Sequence, residues 1–318
     1  MVSGDGSTVG PVLKSTPGKI GIVTVTYNSA EVLPEFFDSL ALQTYRDFVL
    51  YVIDNASKDA TLELCRQRKD LPIVMVSNDV NLGVAEGNNQ GIRAALKAGC
   101  EYVLLLNNDT VFDENLLSEL RDGLVLYQCA MTTPKILYYD NPEKIWAAGG
   151  YFQPWLGYRT QHFGEGKPDK GQFDQPRPIS YAPTCCVLVH KDVFSQIGLM
   201  DAQYFVYSDD TDFMYRAMKA GLILQYLPSC TVLHKVSSLT GGTSLFAIRY
   251  CTRNRVYFIG KHLTVVSALF WTFIYHGYLL TRFLIGRDRK DVWKLKRDAV
   301  LEGLKMIRTL PRKAEAQT

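Results

Sequence analysis

Five short clusters carry the side chains best suited to chemistry: Thr26-Tyr27-Asn28, Asp54-Asn55-Ala56-Ser57-Lys58-Asp59, Asn81-Leu82-Gly83 leading to Asn88-Asn89, Asn107-Asn108-Asp109, and Asp209-Asp210-Thr211-Asp212. Amides, hydroxyls and carboxylates of this kind hydrogen-bond polar ligands, and a carboxylate bordering a crevice can accept a proton. The last cluster opens a periodic stretch through Met214, Met218 and Leu222, so it also reads as the acidic first turn of a helix. Asn, Asp, Ser and Gly are equally the residues of ordinary turns. What sets the first four apart is that each follows a short apolar run. The dinucleotide fingerprint GxGxxG and the P-loop are both missing. Gly83, Gly87 and Gly91, four apart, suit close helix packing better than a phosphate loop.

The apolar runs are what must position these side chains. Ile20 to Thr26 is short and β-branched, as a strand buried on both faces requires. Ser29 is placed to cap a helix whose apolar face is Val32, Leu33, Phe36, Phe37 and Leu40. Strands are expected at Phe48 to Ile53, Ile73 to Ser77 and Tyr102 to Leu106, with helices at about Ala60 to Arg68 and Ala85 to Ala98. Strands alternating with helices imply parallel βαβ units, which bind ligands at the carboxyl ends of the strands. All four strand-end clusters would then face one crevice.

The 318 residues (35.9 kDa) suffice for one large domain with an appendage or for two modest domains. An apolar fraction of 47% and a charged fraction of 21% exclude a predominantly disordered or fibrous chain. Seven cysteines, with Cys185 and Cys186 adjacent and no CxxC, fit neither a disulfide framework nor a zinc ribbon and read as reduced cytosolic thiols. Residues 1–18, rich in Gly, Ser, Thr and Pro, read as a disordered leader without the apolar core of a secretory signal. The net charge of +3 conceals an asymmetry: residues 1–234 hold 19 basic and 27 acidic residues (−8), and residues 235–318 hold 16 and 5 (+11). An acidic body joined to a basic tail points to a polyanionic partner, an anionic membrane surface or nucleic acid, or else to a solvated basic face.

The segments TVTYNS (24–29), DNASKD (54–59), NLGVAEGNNQGI (81–92), LLLNNDTVF (104–112) and FVYSDDTDFMYR (205–216) resemble family 2 glycosyltransferases. Within that family the chain is similar to bacterial rhamnosyltransferases and their galactofuranosyltransferase relatives, from Ile20 to about Lys261. The resemblance implies an α/β fold of the GT-A type over residues 19–235. In it, a Rossmann-like nucleotide-binding half (19–110) and an acceptor half (111–235) share one mixed sheet. It implies an inverting, metal-assisted single displacement. Asp109 matches the last position of the family's DxD motif, whose first position here is Asn107, so one carboxylate stands where two are common. His234 resembles the family's metal-binding histidine, and the ion would be Mg²⁺ or Mn²⁺. Asp210 matches the base; Asp209 would orient it or contact the acceptor, and Asp212 would hold the loop and border the acceptor.

By the same resemblance Asp54 recognises the nucleobase, with Asn55 beside it. Thr26, Tyr27 and Asn28 line the nucleoside, and Asn81, Gly83, Asn88 and Asn108 complete the donor site. Similarity around Asn107-Asn108-Asp109, Trp146 with Gly149-Gly150, and Tyr250-x-x-Arg253-Asn254 favours dTDP-L-rhamnose as donor, with a UDP-sugar or a non-catalytic binding protein as alternatives. Arg253 falls in the acceptor set.

Gln153 to Pro178 reads as a long loop between the halves, of the kind that forms substrate lids, where Trp155 and Tyr158 would stack on acceptor sugars or pin the loop to the core. Leu263 to Ile285 is long enough to span a bilayer. Its polar stripe of Thr264, Ser267, Trp271, Tyr275, Tyr278 and Arg282, opposite Val266, Phe270, Phe273, Gly277 and Leu280, fits better a helix lying in the membrane interface, with a helix packed against the enzyme body as the alternative. Residues 236–318 are therefore expected to form basic, amphipathic helices. They would hold the enzyme peripherally at the cytoplasmic face of the bacterial inner membrane, within reach of a lipid-linked saccharide acceptor. The tail lacks the interleaved aromatic and basic pattern of a nucleic-acid module, and the oligomeric state is not legible.

Overall fold

The computed structural model describes residues 18–236 and 244–310. The leader, apart from Gly18, lies outside the described residues. The first half follows the expected alternation: β1 (Ile20–Thr26), α1 (Leu33–Ala41), β2 (Phe48–Asp54), α2 (Thr61–Gln67), β3 (Ile73–Ser77), α3 (Gly83–Lys97) and β4 (Tyr102–Leu106). Strands β1, β2, β3 and β4 pair in parallel in the order β4-β1-β2-β3. Ser29 does not cap α1. Its carbonyl accepts from the Val32 and Leu33 amides, and its hydroxyl accepts from the Tyr27 amide. A turn therefore intervenes, and α1 starts at Leu33 with Pro34 in its first turn.

Helix α3 shows why glycines recur every fourth residue. A β-carbon on Gly87 would lie 2.8 Å from the Val25 methyls, and one on Gly91 would lie 2.3 Å from a Val23 methyl. The helix can lie this close to β1 only because positions 87 and 91 carry no side chains.

The second half contributes β5 (Thr110–Phe112), α4 (Leu116–Leu126), β6 (Met131–Tyr138), β7 (Asn141–Ala147), β8 (Gly150–Gln153), β9 (Arg159–His162), β10 (Arg177–Ile179), β11 (Cys186–His190), α5 (Lys191–Ile197), α6 (Asp209–Lys219) and β12 (Leu224–His234). The sheet continues as β10-β12-β6-β11-β4, with β11 antiparallel to β4, so one mixed sheet joins the halves. Because β11 runs antiparallel, its first residues lie beside the last residues of β4. This seam forms the crevice. The Gln153–Pro178 segment is not one loop: β8 and β9 form a hairpin through a 3-10 turn at Pro154–Leu156, and β10 joins the main sheet.

Helices α7 (Leu245–His262), α8 (Val265–Leu284) and α9 (Lys290–Arg308) follow. Tyr257 and Phe258 of α7 are buried in the core shared with β11 and α6. Along α8 only Leu279 is buried, and Val266 (78%) and Phe273 (77%) are almost fully exposed. Its apolar stripe faces outward, while Ser267, Trp271, Tyr275 and Arg282 are half-buried. Among the described residues no helix is long and apolar enough to cross a membrane.

Candidate active site

A cavity of about 500 Å³ opens at the seam, lined among others by Asn88, Asn107, Asn108, Asp109, Asp209, Asp210 and His234. Residues separated by nearly 150 positions thus share one space. Asp109 follows β4, and His234 ends β12 where that strand pairs with Thr110 of β5. His234 Nε2 lies 3.3 Å from Asp109 Oδ1. Its ring packs edge-on against Trp146 at 4.5 Å, which holds it in place. Burial opposes the charged imidazole, but the Cys185 sulfur and the Asp109 carboxylate outweigh it and raise the His234 pKa to about 10.

Asp209 and Asp210 enter the cavity from the first turn of α6. The preceding loop is tight: Phe205, Tyr207 and Ser208 hold φ of 65°, 63° and 61°, left-handed values that cost non-glycine residues energy. Tyr181, just ahead of β11, donates its hydroxyl to Asp210 Oδ2 at 2.7 Å, and the Thr211 amide donates to Oδ1 at 2.6 Å. Burial, then the Asp210 charge, raises the Asp209 pKa to about 8. Burial also raises that of Asp210, against the pull of the Tyr181 and Thr211 hydrogen bonds. Two carboxylates so close cannot both ionise cheaply, so they titrate as a pair.

Asp212 points away from the cavity. It is fully buried and receives Lys261 and His262 at 2.7 Å and Arg216 at 2.8 Å. Although burial opposes it, these three groups hold its carboxyl well below the usual range. The structure thus ties Asp212 into an anchor of α6, outside the cavity lining. Arg253, expected in the acceptor set, is likewise buried, donating to the Gln203 and Tyr204 carbonyls. Tyr158 packs edge-on against Tyr215 and Phe152, pinning the hairpin to the core, and Trp155 is exposed outside the cavity lining.

Most of the expected donor set lies outside the cavity lining, in an interlaced floor at the carboxyl ends of β1 and β2. Thr26 donates to Asp54, the Ser57 amide also donates to Asp54, and Asn28 Oδ1 accepts from the Lys58 amide. Asn55 donates to the Gly83 carbonyl, and Asn81 accepts from the Gly83 amide. Asn108, at the cavity wall, donates to the Val25 carbonyl. Tyr27 is half exposed beside this floor. Gly83 faces the carbonyl of Phe205, which accepts from the Val84 and Ala85 amides at 2.6 and 3.3 Å. A β-carbon on Gly83 would lie 2.4 Å from that oxygen.

Tyr181 and His162, which also line the cavity, were not singled out from the sequence. The available signal was Tyr181-Ala-Pro-Thr ahead of the apolar run Cys185 to His190, legible only once that run is known to be antiparallel to β4.

Among the described residues no three His, Cys, Asp or Glu side chains cluster as a metal cage. Asp109 and His234 nevertheless suit a divalent ion. They are adjacent, and both line the cavity. Magnesium and its like are often held by one or two protein groups, with water and substrate phosphate completing the shell.

A Rossmann-like half joined through one mixed sheet to an acid-lined crevice defines a glycosyltransferase of the GT-A fold. Glycosyl transferase family 2 matches residues 21–198, over half of the chain, and the protein belongs to that family. It is 28% identical over 246 residues to the N-acetylglucosaminyl-diphospho-decaprenol L-rhamnosyltransferase of Mycobacterium tuberculosis, covering 69% of this chain and 77% of that one. It is 22% identical over 213 residues to galactofuranosyltransferase GlfT1 of Mycolicibacterium smegmatis, covering 67% and 69%. Among solved structures, Staphylococcus aureus TarS 1-349 superposes with a TM-score of 0.56 at 16% identity, covering 91% of this chain and 81% of that one. The mannosyltransferase PcManGT of Pyrobaculum calidifontis, in complex with GDP-Man and Mn²⁺, superposes with 0.54 at 14% identity, covering 90% and 87%. These two share the fold.

Proposed function

We propose that the enzyme transfers L-rhamnose from dTDP-L-rhamnose to a lipid-linked saccharide in cell-envelope polysaccharide synthesis, by a single inverting displacement with Asp210 as base. The observation that carries this reading is that Asp210 faces the same cavity as Asp109 and His234. Burial raises the pKa of both carboxylates, and the hydrogen bonds from Tyr181 and the Thr211 amide favour the charged form at Asp210. The Tyr181 hydroxyl would also fix the orientation of Asp210 for taking a proton from the acceptor hydroxyl. Asp109 and His234, with Asn107 beside them, would hold Mg²⁺ or Mn²⁺. When bound, the ion supplies positive charge against the departing diphosphate. Asp54 and the floor around it would take the nucleobase.

In this reading residues 19–235 form the catalytic domain and 236–318 a peripheral membrane-associating region. The outward apolar stripe of α8 and the +11 charge of residues 235–318 suit an anionic cytoplasmic leaflet. The decaprenol-linked substrate in the name of the mycobacterial relative supports a polyprenyl diphosphate sugar as acceptor.

Thermal shifts with a panel of nucleotide sugars, with and without Mn²⁺, test the donor: dTDP-L-rhamnose is expected to stabilise most. Preference for UDP-galactofuranose would move the enzyme toward its galactofuranosyltransferase relatives. Asp210→Asn should abolish transfer and leave donor binding nearly intact; retained turnover would remove Asp210 as base.

A further inference from the structure

The acidic pair is only as well placed as the loop before it, and that loop is held from outside the catalytic sheet. Three of its four residues from Phe205 to Ser208 adopt left-handed φ without being glycine, a conformation that persists only when its surroundings over-determine it. The surroundings are two consecutive side chains of α7. Asn254, fully buried, donates from Nδ2 to the carbonyls of Tyr204, Val206 and Tyr207 at 3.0, 2.8 and 2.7 Å. Arg253 donates from Nη2 to the carbonyls of Gln203 and Tyr204 at 2.9 and 2.7 Å, and its Nε bonds Asn254 Oδ1 at 2.8 Å. The next residue, Arg255, donates to the Leu156 and Gly157 carbonyls of the β8–β9 turn.

Carbonyls aimed inward at one amide are what a left-handed loop leaves unsatisfied, and an aspartate, leucine or alanine at 254 could not donate to them. On its far side the same loop caps α3 through the Phe205 carbonyl.

We propose that Arg253 and Asn254 are positioning residues for transfer: they hold the 203–208 loop so that Asp209 and Asp210 project into the cavity. This rests on the reading of Asp210 as base. Neither lines the cavity, so their loss should lower kcat and leave the donor KM alone.

The test uses the full chain with vesicles, Mn²⁺, dTDP-L-rhamnose and polyprenyl-diphosphate-linked N-acetylglucosamine. Asn254→Ala is expected to lower kcat about 100-fold, the scale of an ångström-level misplacement of a reacting group, with the donor KM within about threefold. Ser208 makes no side-chain cap to α6, and glycine adopts its φ without strain. Adding Ser208→Gly to Asn254→Ala should therefore restore kcat at least about tenfold, which a general loss of folding would not show. Arg253→Lys keeps the charge but not the fixed fork, and should cost about tenfold in kcat, giving a second reading should Asn254→Ala fold poorly. A kcat within threefold of the parent in both single variants, or a loss of kcat that Ser208→Gly leaves unmoved, overturns the proposal. Asp210→Asn run alongside separates the two failures: if it turns over, the base assignment falls, whatever the Asn254 series shows.

Discussion

Gly83→Ala is a demanding probe of how the crevice is built. The position holds φ +84°, and an added β-carbon would lie 2.4 Å from the Phe205 carbonyl oxygen and 2.6 Å from its ring. A left-handed conformation costs a residue with a β-carbon about 1–2 kcal/mol. Displacing Phe205 also weakens its two hydrogen bonds from Val84 and Ala85, each worth about 0.5–1.5 kcal/mol. The sum is roughly 2–5 kcal/mol, or a fall in Tm of roughly 4–10 °C for a chain of this size. The shifted loop leads directly to Asp209, so kcat should fall with Tm. Differential scanning fluorimetry and steady-state turnover on one preparation measure both. A Tm within 1 °C of the parent with kcat intact would refute the account. A raised donor KM at unchanged Tm would instead mean that Gly83 meets the donor and not Phe205.

Further outcomes follow from the same geometry. Asp209 holds its proton up to about pH 8 in the folded enzyme but only to about pH 4 unfolded, so its contribution to stability is lost as pH rises between those values. Asp209→Asn should flatten the fall in Tm between pH 5 and 9, and an unchanged profile would contradict the burial described. His234, with its pKa raised to about 10, must give up its proton on meeting a cation, so Mn²⁺ titration by calorimetry in two buffers should show proton release that His234→Ala abolishes. Phe273→Asp on the exposed face of α8 should reduce affinity for anionic vesicles by roughly tenfold or more in flotation assays, as expected from removing one large apolar side chain from the membrane. Equal flotation would show that α8 does not meet lipid.

The parallel half of the sheet could be read from the chain because its signals are local: β-branched runs, helical spacing and polar residues at the strand ends. The three-way glycine spacing of α3 was legible for the same reason, as each small residue answers to one valine of β1 or to Phe205. Legibility stopped where partners are distant. Asp54, Thr26 and Asn28 have the right residue types, yet Thr26 donates to Asp54 and Asn28 bonds the 57–58 turn, which no spacing announces. Arg253 and Asp212 carry charge suited to a ligand, but each is consumed by other groups: carbonyls of the loop before α6 for one, and Lys261 and His262 of α7 with Arg216 of α6 for the other. Tyr181 stayed hidden because its importance depends on β11 running against β4. The outward stripe of α8 was visible, being a property of one helix alone.

The start of α3 has a consequence for how donor is retained. An exposed helix start offers free amides to anions, but here the Asn81 side chain and the Phe205 carbonyl already occupy the Gly83, Val84 and Ala85 amides. A diphosphate in the crevice would find these three backbone amides already taken, so under the proposed function its hold would rest on side chains and not on the start of α3.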